Sequence, residues 1–263
     1  MTHAKKRYGQ HFLHDPGVIS RIVAAIDPQP GERLIEIGPG LGALTLPLLA
    51  RAGRLEAIEI DRDVIPELQR RAEGAGELLI HHRDVLDVDF VELRGDGPPL
   101  RLCGNLPYNI STPLLFHLLK ARGAISDMHF MLQKEVVDRM AAAPDTSDYG
   151  RLTVMLAADC RVEKLFRIGP GAFRPPPRVD SAIVRLWPLA EPPFPLLDRA
   201  RFARVVASAF SMRRKTMRNS LRGVVDEAGF AATGIDPGRR AETLSPAEFA
   251  ALALTPAPPE AAV

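Results

Sequence analysis

The sequence predicts an α/β fold, with a mostly parallel sheet covered by helices on both faces and a small helical domain after it. Up to residue 187, short apolar runs alternate with segments of helical periodicity, as in sheets of this kind. The proline-dense stretch 187–197 interrupts this pattern, and the periodicity beyond it is helical. We therefore expect one domain at residues 1–187 and a second, helical domain at residues 188–263.

Seven short apolar runs are the candidate strands of the sheet. Continuous apolar runs of this length are typical of strands that are buried on both faces. The last two runs are separated by a proline-rich loop and are expected to close one side of the sheet. The runs are Arg33–Ile37, Leu55–Ile60, Glu77–His81, Leu100–Cys103, Met128–Leu132, Arg161–Ile168 and Ser181–Leu186.

The C-terminal domain is predicted from apolar residues at helical spacing. One stripe recurs at the i, i+3, i+4, i+7 and i+8 positions of a buried helix face, and a second segment repeats the pattern. Ser245–Glu248 has the form of a capping box with proline at the first helical position. The two stripes are Phe202, Val205, Val206, Ala209 and Phe210, and then Met217, Leu221 and Val224.

The composition excludes several classes of protein. Of the 263 residues, 46% are hydrophobic and 25% are charged, which is ordinary for a globular protein, and no apolar run approaches the roughly 20 residues of a membrane span. The first residues lack the apolar core of a signal peptide. Two cysteines cannot form a disulfide framework, so we expect a reduced, cytoplasmic location. The seven histidines show no metal-ligand spacing, and no metal is expected.

Basic residues are concentrated in the C-terminal part, although the formal net charge is only +2. No acid interrupts the segment from Arg199 to Arg222, and a segregated charge of this kind indicates a surface that faces a polyanion. A solvated helix face is the alternative interpretation. Arg214, Arg218 and Arg222 recur at every fourth position and would form one row on a helix, which could follow a phosphate backbone.

A glycine-rich turn, Glu36-Ile37-Gly38-Pro39-Gly40-Leu41-Gly42, directly follows the first candidate strand of the sheet. Glycine at such a turn lets the backbone bend tightly and approach a ligand. The turn also satisfies the G-x-G-x-x-G/A pattern of nicotinamide dinucleotide sites through Ala43, and Glu59 is an acid at the distance expected for ribose binding in either case. The turn alone leaves both cofactors open.

Two acids favour S-adenosylmethionine as the cofactor. Glu36 places a carboxylate where dinucleotide folds usually have an apolar residue, and a cationic methionine group would be stabilised there. Asp84 follows the third strand, where it can accept from an adenine amino group while the N–H of Val85 donates to the ring. This order of features resembles the pattern of class I methyltransferases. The alternative is that Asp84 only caps a turn.

The candidate catalytic segment is Asn105-Leu106-Pro107-Tyr108, which follows the fourth strand and resembles the N/D-P-P-Y/F signature of amino-nitrogen methyltransferases. The lone pair of adenine N6 is delocalised into the ring. If the Asn105 side-chain oxygen and the Leu106 carbonyl accept the two N6 hydrogens, the lone pair is freed for the sulfonium methyl group, and the developing positive charge is stabilised. Pro107 restricts the backbone, and Tyr108 offers a face for an extruded base.

With these motifs, the chain resembles the KsgA/RsmA family of small-subunit ribosomal RNA adenine dimethyltransferases over nearly its whole length. The most specific matching segments are three: Phe173–Ser181 (FRPPPRVDS), Arg213–Leu221 (RRKTMRNSL) and Arg240–Ser245 (RAETLS). The resemblance implies a Rossmann-like class I methyltransferase domain that dimethylates two adjacent adenosines in the 3′-terminal hairpin of 16S rRNA, within the small subunit or its precursor, during subunit assembly. It also implies a monomer without membrane association.

The resemblance also implies roles for individual residues. His11 and Leu13 would line the methionine end of the cofactor, where the family more often has Asn in place of His11. Tyr108 and Phe173 would sandwich the target base. The cofactor would be bound by His11, Leu13, Gly38, Gly40, Glu59, Asp84, Val85 and Asn105, and the RNA by Arg213, Arg214, Lys215, Arg218 and Arg222.

Three alternatives remain from the sequence. A methyltransferase of the antibiotic-resistance type, acting on a large-subunit rRNA adenine, would share the glycine turn and the Asn105–Tyr108 element. A mitochondrial relative that acts as a transcription factor is disfavoured, because GQHFL begins only eight residues past Met1 and leaves no room for a transit peptide. A nicotinamide oxidoreductase is disfavoured because no hydride-transfer constellation is evident.

Overall fold

The structure is a computed structural model that describes residues 11–107, 110–212 and 214–257. It divides into two compact units, each with its own core. The first consists of Met1–Val137 and Glu163–Pro188, and the second of Asp138–Val162 and Leu189–Val263. Among the described residues, no helix combines the length and apolar character needed to cross a bilayer.

Nine strands are found in the described residues. Seven of them form one sheet, and the two short ones, β1 and β8, pair with each other. In chain order they are β1 (Phe12–Leu13), β2 (Arg33–Ile37), β3 (Arg54–Glu59), β4 (Glu77–His82), β5 (Leu100–Asn105), β6 (Ile125–Gln133), β7 (Cys160–Ile168), β8 (Phe173–Arg174) and β9 (Ser181–Pro188).

The helices of the described residues follow the alternation that the sequence predicts. They are α1 (Pro16–Ile26), α2 (Thr45–Ala52), α3 (Ile65–Ala72), α4 (Phe90–Arg94), α5 (Ser111–Lys120), α6 (Lys134–Met140), α7 (Arg151–Ala157), α8 (Arg199–Ala209), α9 (Met217–Ser220), α10 (Glu227–Thr233) and α11 (Pro246–Leu254). Short 3₁₀ turns occur at Val85–Asp87, Arg122–Ala124, Pro170–Ala172 and Ala241–Thr243.

The predicted sheet is confirmed. Its strand order is β4-β3-β2-β5-β6-β9-β7, with β4 to β6 parallel and β9 antiparallel to β6. The order reverses between β2 and β5, because the chain first adds strands on one side of β2 and then returns to its other side. Open α/β sheets bind their ligands at such a point, beyond the carboxyl ends of the strands.

The junction between β2 and β5 is unusually close at Gly104. A Cβ atom at this position would lie 2.3 Å from the carbonyl oxygen of Ile37, so only glycine leaves the two strands at their observed separation. Gly104 directly precedes Asn105, the last residue of β5. The close approach therefore fixes where Asn105 leaves the sheet relative to the glycine turn after β2.

The second unit has its own hydrophobic core, built around α8. The predicted stripe at Phe202, Val205, Val206 and Ala209 is buried. The capping box at Ser245 is also present, since the Ser245 hydroxyl accepts from the Glu248 N–H and the Glu248 carboxylate accepts from the Ser245 N–H. Residues from three parts of the chain complete this core: Tyr149, Val154, Ala158, Met217, Leu221, Val225, Phe230, Leu244, Phe249 and Leu252.

The compact units differ from the predicted division in one segment. The chain leaves the first unit after Pro188, as the proline-dense stretch indicates, but residues 138–162 belong to the second unit. The physical reason is packing, because Tyr149, Val154 and Ala158 are buried in the core formed with α8. The Tyr149 hydroxyl also donates to the Leu244 carbonyl at 2.7 Å.

The predicted row of arginines on one helix is wrong. Helix α9 covers only Met217–Ser220, so Arg214 precedes it and Arg222 follows it. The Met217 N–H donates to the Arg239 carbonyl, and the Arg218 N–H donates to the Pro237 carbonyl. These two amides therefore do not bond to the carbonyls four residues before them, and the helix does not extend back to Arg214. The three arginines therefore lie on a turn, a short helix and a second turn.

We predict that Gly104→Ala lowers the free energy of unfolding by about 1–3 kcal/mol, because the added methyl group must displace the Ile37 backbone. Urea denaturation measures this change. Gly123→Ala is the matched control, since no heavy atom lies within 4 Å of a Cβ there, and its stability should stay within about 0.5 kcal/mol of the native protein. Equal stability of the two variants would contradict the proposed constraint.

Candidate active site

A cavity of about 660 Å³ opens in the first unit, beyond the carboxyl ends of the parallel strands. Every residue that the sequence predicts for cofactor binding lines it, together with two further residues of the candidate catalytic segment. These lining residues are His11, Leu13, Gly38, Gly40, Glu59, Asp84, Val85, Asn105, Leu106 and Pro107. The structure therefore brings together segments that are up to about ninety residues apart in the chain.

The glycine turn after β2 forms one wall of the cavity. Gly38 and Gly40 have φ angles of +68° and +54°, a region that other residues rarely adopt. The Gly38 N–H donates to the carbonyl of Ile58 in the neighbouring strand β3 at 2.9 Å. This bond holds the start of the turn against the sheet, while the absence of side chains leaves the backbone open to a ligand.

Glu59, at the end of β3, holds the glycine turn by hydrogen bonding. Its carboxylate accepts from the Gly40 N–H at 3.1 Å and from the Asp61 N–H at 2.8 Å. Burial raises the pKa of Glu59, and these backbone hydrogen bonds act in the opposite direction. The buried carboxylate thus stabilises the glycine turn. Because it also lines the cavity, it can accept from hydroxyl groups of a ligand.

Glu36 is a buried acid in the wall of the cavity, only 2% exposed. The Thr45 hydroxyl donates to it at 2.6 Å, and Glu36 has no other side-chain hydrogen bond within the part of the chain that the structure describes. Burial raises the pKa of Glu36 to about 7, and the nearby charge of Glu59 adds to the shift. A positively charged ligand in the cavity would stabilise the ionised form.

Asp84 and Val85 lie at the far side of the cavity, after β4. One Asp84 carboxylate oxygen accepts from the Leu86 N–H at 2.9 Å and caps the 3₁₀ turn Val85–Asp87. The capping role considered from the sequence is therefore real. It uses one oxygen, and the second oxygen accepts from no donor of the described residues. Asp84 can cap the turn and accept from a ligand amino group.

Asn105 lies at the end of β5, opposite the glycine turn. Its side-chain N–H donates to the His11 carbonyl at 3.1 Å, which leaves the side-chain oxygen as its remaining polar atom. The Leu106 side chain is buried, and its N–H donates to the Met131 carbonyl at 3.2 Å, so the segment after β5 is held by β6. Tyr108 lies outside the described residues.

Phe173 is not brought to the cavity, contrary to the prediction that it sandwiches the target base. Its side chain is 2% exposed and packs in the core of the first unit with Leu13, Ala172 and Ile183. The reason is the pairing of β8 with β1, which places Phe173 opposite Leu13. In this arrangement the ring offers no free face to a base.

The cavity residues fit S-adenosylmethionine in three respects. The glycine turn admits a ligand close to the backbone, Glu36 supplies a buried carboxylate that lacks a cation partner among the described residues, and Asp84 retains an acceptor. A nicotinamide dinucleotide would bring its own negative phosphates to the glycine turn beside Glu36, which is unfavourable. The arrangement of charge thus favours the cationic cofactor.

Several residues of the site were not identified from the sequence. Ile60, directly after Glu59, is 44% exposed and supplies an apolar surface at the cavity wall. An apolar side chain just past a strand end is the signal that could have indicated it. Arg83, which lines the cavity, and Thr45, which holds Glu36, carry no such signal, because their places depend on how the chain folds back after β4 and into α2.

The predicted RNA-binding residues lie in the second unit. Arg214, Lys215 and Arg222 are exposed and form no ion pair with other described residues, whereas Arg218 pairs with Glu227 at 2.8 Å. Arg213 lies outside the described residues. In α8, Arg199 pairs with Asp159 and Arg201 donates to the Ala253 carbonyl, whereas Arg204 is exposed. The turns around α9 therefore carry three exposed cations that form no ion pair with described residues.

Among the described residues, no group of three or more histidines, cysteines, aspartates or glutamates is arranged to hold a metal ion.

Comparison with protein families finds that residues 1–256 match the family described as "Ribosomal RNA adenine dimethylase". Among curated proteins, the chain is 58% identical over 250 residues to "Ribosomal RNA small subunit methyltransferase A" of Xanthomonas campestris pv. campestris (strain 8004), with 95% of each chain covered. A protein of the same name from Xanthomonas axonopodis pv. citri (strain 306) is 57% identical over the same length.

Two solved structures resemble the chain over most of its length. A dimethyladenosine transferase from Plasmodium falciparum superposes with a TM-score of 0.74 and 27% identity, covering 92% of this chain and 96% of that one. The 23S rRNA methyltransferase ErmE superposes with a TM-score of 0.71 and 27% identity, covering 92% and 98%.

We predict that the affinity for S-adenosylmethionine falls as the pH is lowered through about 7, because protonation of Glu36 removes the charge that attracts the sulfonium group. The expected loss approaches tenfold per pH unit at most, measured by titration calorimetry between about pH 6 and about pH 8. Glu36→Gln should bind more weakly and lose the pH dependence of this window. A native affinity independent of pH across the window would contradict the assignment.

Proposed function

This chain belongs to the ribosomal RNA adenine dimethylase family, and on that premise we propose that it dimethylates the N6 amino groups of two adjacent adenosines in the 3′-terminal hairpin of 16S rRNA. The observation that carries the proposal is the place of Asn105, which lines the cofactor cavity and whose side-chain oxygen accepts from no donor among the described residues. The small-subunit substrate is supported by the relatives at 57–58% identity, which are named for that subunit.

The enzyme is an S-adenosylmethionine-dependent rRNA methyltransferase. The cofactor supplies an electrophilic methyl group on a positively charged sulfur. Around it, Glu36 provides negative charge, the backbone at Gly38 and Gly40 leaves room, and Leu13 adds an apolar wall. Glu59 would accept from the ribose hydroxyls, while Asp84 and the Val85 N–H would bind the adenine ring. These roles follow from the chemistry of the residues and their common cavity.

Catalysis depends on geometry at the target nitrogen. The Asn105 oxygen and the Leu106 carbonyl accept the two hydrogens of N6, which turns the lone pair out of conjugation with the ring. The same acceptors stabilise the positive charge that develops on nitrogen. Since the nitrogen loses its proton after it has become cationic, no general base is needed before transfer. Pro107 restricts the backbone so that the two acceptors keep their relative positions.

Base stacking is assigned to Tyr108 alone. Phe173 is buried beside Leu13 and does not line the cavity. An adenosine must leave its stack to enter a cavity of this kind, and an aromatic face offsets part of that cost. The proposed stacking partner therefore comes from the catalytic segment itself.

RNA binding is proposed for the exposed basic residues of the second unit, Arg214, Lys215 and Arg222, with Arg213 and Arg218 contributing charge to the same segment. Backbone and shape contacts suit a structured RNA, whose deep major groove hides the base edges. We place the enzyme in the cytoplasm with its ribosomal RNA substrate and expect it to act as a monomer, because one chain carries both the cavity and the acceptors.

A large-subunit adenine is the second candidate substrate, favoured by the structural similarity to the 23S rRNA methyltransferase ErmE. The higher identity to proteins named for the small subunit makes it the weaker candidate. A non-enzymatic nucleic-acid-binding role is not supported, since these curated relatives are named as methyltransferases.

We predict that Asn105→Ala lowers single-turnover methyl transfer to adenine by about 100- to 1000-fold, the usual effect of removing one group that stabilises transition-state charge. Transfer is measured with labelled cofactor and under-methylated small subunits. The melting temperature should stay near the native value, because the substitution removes an acceptor and little core volume. A folded variant with full activity would refute the mechanism.

We also predict that the double variant Arg214→Ala/Lys215→Ala reduces the slope of log affinity against log salt by about 2, because each removed cation leaves one phosphate without its neutralising charge. Arg51→Ala/Arg54→Ala removes the same charge at the opposite edge of the sheet from the cavity and is the matched control. An unchanged slope in the first variant, or equal changes in both, would show that the turns around α9 do not contact the RNA.

A further inference from the structure

His11 connects two parts of the active site that are far apart in the chain. Its backbone carbonyl accepts from the Asn105 side-chain N–H at 3.1 Å. Its ring atom Nδ1 lies 2.8 Å from the carbonyl oxygen of Pro175. Pro175 belongs to the proline loop, defined here as residues 175–180, which follows β8. One residue thus contacts both the proposed catalytic side chain and this loop.

The chemistry of these contacts fixes the proton positions. A carbonyl oxygen can only accept, so Nδ1 of His11 carries a proton and donates it to Pro175. For the same reason, the Asn105 amide nitrogen faces His11 and its oxygen faces the other way. A half-turn of the Asn105 amide would present N–H groups to the N6 hydrogens of the target. The His11 carbonyl therefore selects the productive orientation.

The pairing of β1 with β8 places His11 at this junction. Phe12 lies opposite Arg174, Leu13 opposite Phe173, and the His14 N–H donates to the Ala172 carbonyl at 2.9 Å. The backbone pairing between β1 and β8 ends at Phe12. Beyond it, the hydrogen bond of the His11 ring to Pro175 attaches the chain to the proline loop. Loss of this hydrogen bond would release the end of the strand and, with it, the carbonyl that orients Asn105.

We propose that His11 is a positioning residue, whose ring bond to the proline loop holds its backbone carbonyl against Asn105 so that the Asn105 oxygen faces the target amine. The proposal rests on the proposed function, since the orientation matters only if Asn105 accepts from N6. The resemblance already implies that His11 contacts the cofactor. The proposal gives His11 a second effect, on the rate of methyl transfer when the cofactor is saturating.

The proline loop itself has the character of a substrate-facing element. Arg178 in the loop and Arg174, the residue just before it, are exposed and form no ion pair with other described residues, and Val179 is also exposed. Pro177 and Phe173 are buried and anchor the loop in the first unit. A basic, exposed loop suits an RNA backbone. Through His11, the same loop is connected to the orientation of Asn105.

The test compares His11→Phe, which keeps a ring but has no donor, with His11→Asn, whose amide can donate to Pro175. We expect His11→Phe to lower kcat at saturating cofactor and RNA by about three- to tenfold, the range for the loss of one hydrogen bond, and His11→Asn to recover most of the rate. His14→Phe is the control, because the exposed His14 side chain has no hydrogen bond with another described residue. Cofactor affinity is measured separately by calorimetry.

A second readout does not depend on activity. Trypsin cleavage after Arg178, followed by mass spectrometry, reports on opening of the proline loop and should be faster in His11→Phe than in the native protein or in His14→Phe. Native kcat in His11→Phe, a loss confined to cofactor affinity, or unchanged cleavage would overturn the proposal. If the native enzyme methylates no adenine, the proposed function fails, and the cleavage rates still decide whether His11 anchors the loop.

Discussion

The parallel register of β2 to β5 is the constraint on which the site depends. Ile37 pairs with Ile58, Glu59 with His82, and Glu36 with Cys103, so the four strands end within a few residues of one another at the same edge. Residues that follow different strands are thereby placed around one cavity. The close approach at Gly104 sets the spacing between the two strands where the strand order reverses, and this spacing determines how far Asn105 lies from the glycine turn.

The cavity of the first unit and the turns around α9 in the second carry opposite charges and suit different ligands. In the first unit, Glu36, Glu59 and Asp84 line a cavity in which burial raises the pKa of the first two acids, so a cationic cofactor relieves an unfavourable concentration of negative charge. In the second unit, exposed basic residues around α9 suit a polyanion.

Much of this site could be predicted from the sequence, because its signals are local. Apolar runs predict the strands, and the glycine turn predicts where a ligand can approach the backbone. Acids that follow successive strands lie at the same edge of the sheet because the strands are parallel. The features that could not be predicted depend on tertiary packing. The burial of Phe173 follows from the pairing of β1 with β8, and the short α9 follows from backbone bonds to Pro237 and Arg239.

The assignment of residues 138–162 shows the same limit. Nothing local separates this segment from the first domain, and only the packing of Tyr149, Val154 and Ala158 against α8 places it in the second unit. The contact between His11 and Asn105 joins residues 94 positions apart and has no periodic signal. Long-range contacts between single residues are therefore where sequence patterns give the least information about mechanism.

The most direct measurement of the central claim is to offer the enzyme under-methylated small and large ribosomal subunits with labelled cofactor and to map each labelled nucleotide by mass spectrometry. We expect N6,N6-dimethyl label on two adjacent adenosines near the 3′ end of the small-subunit RNA. Label on a large-subunit adenine would contradict the proposed substrate. Label on a nitrogen other than N6 would contradict the account in which the oxygens of Asn105 and Leu106 direct transfer to that amine.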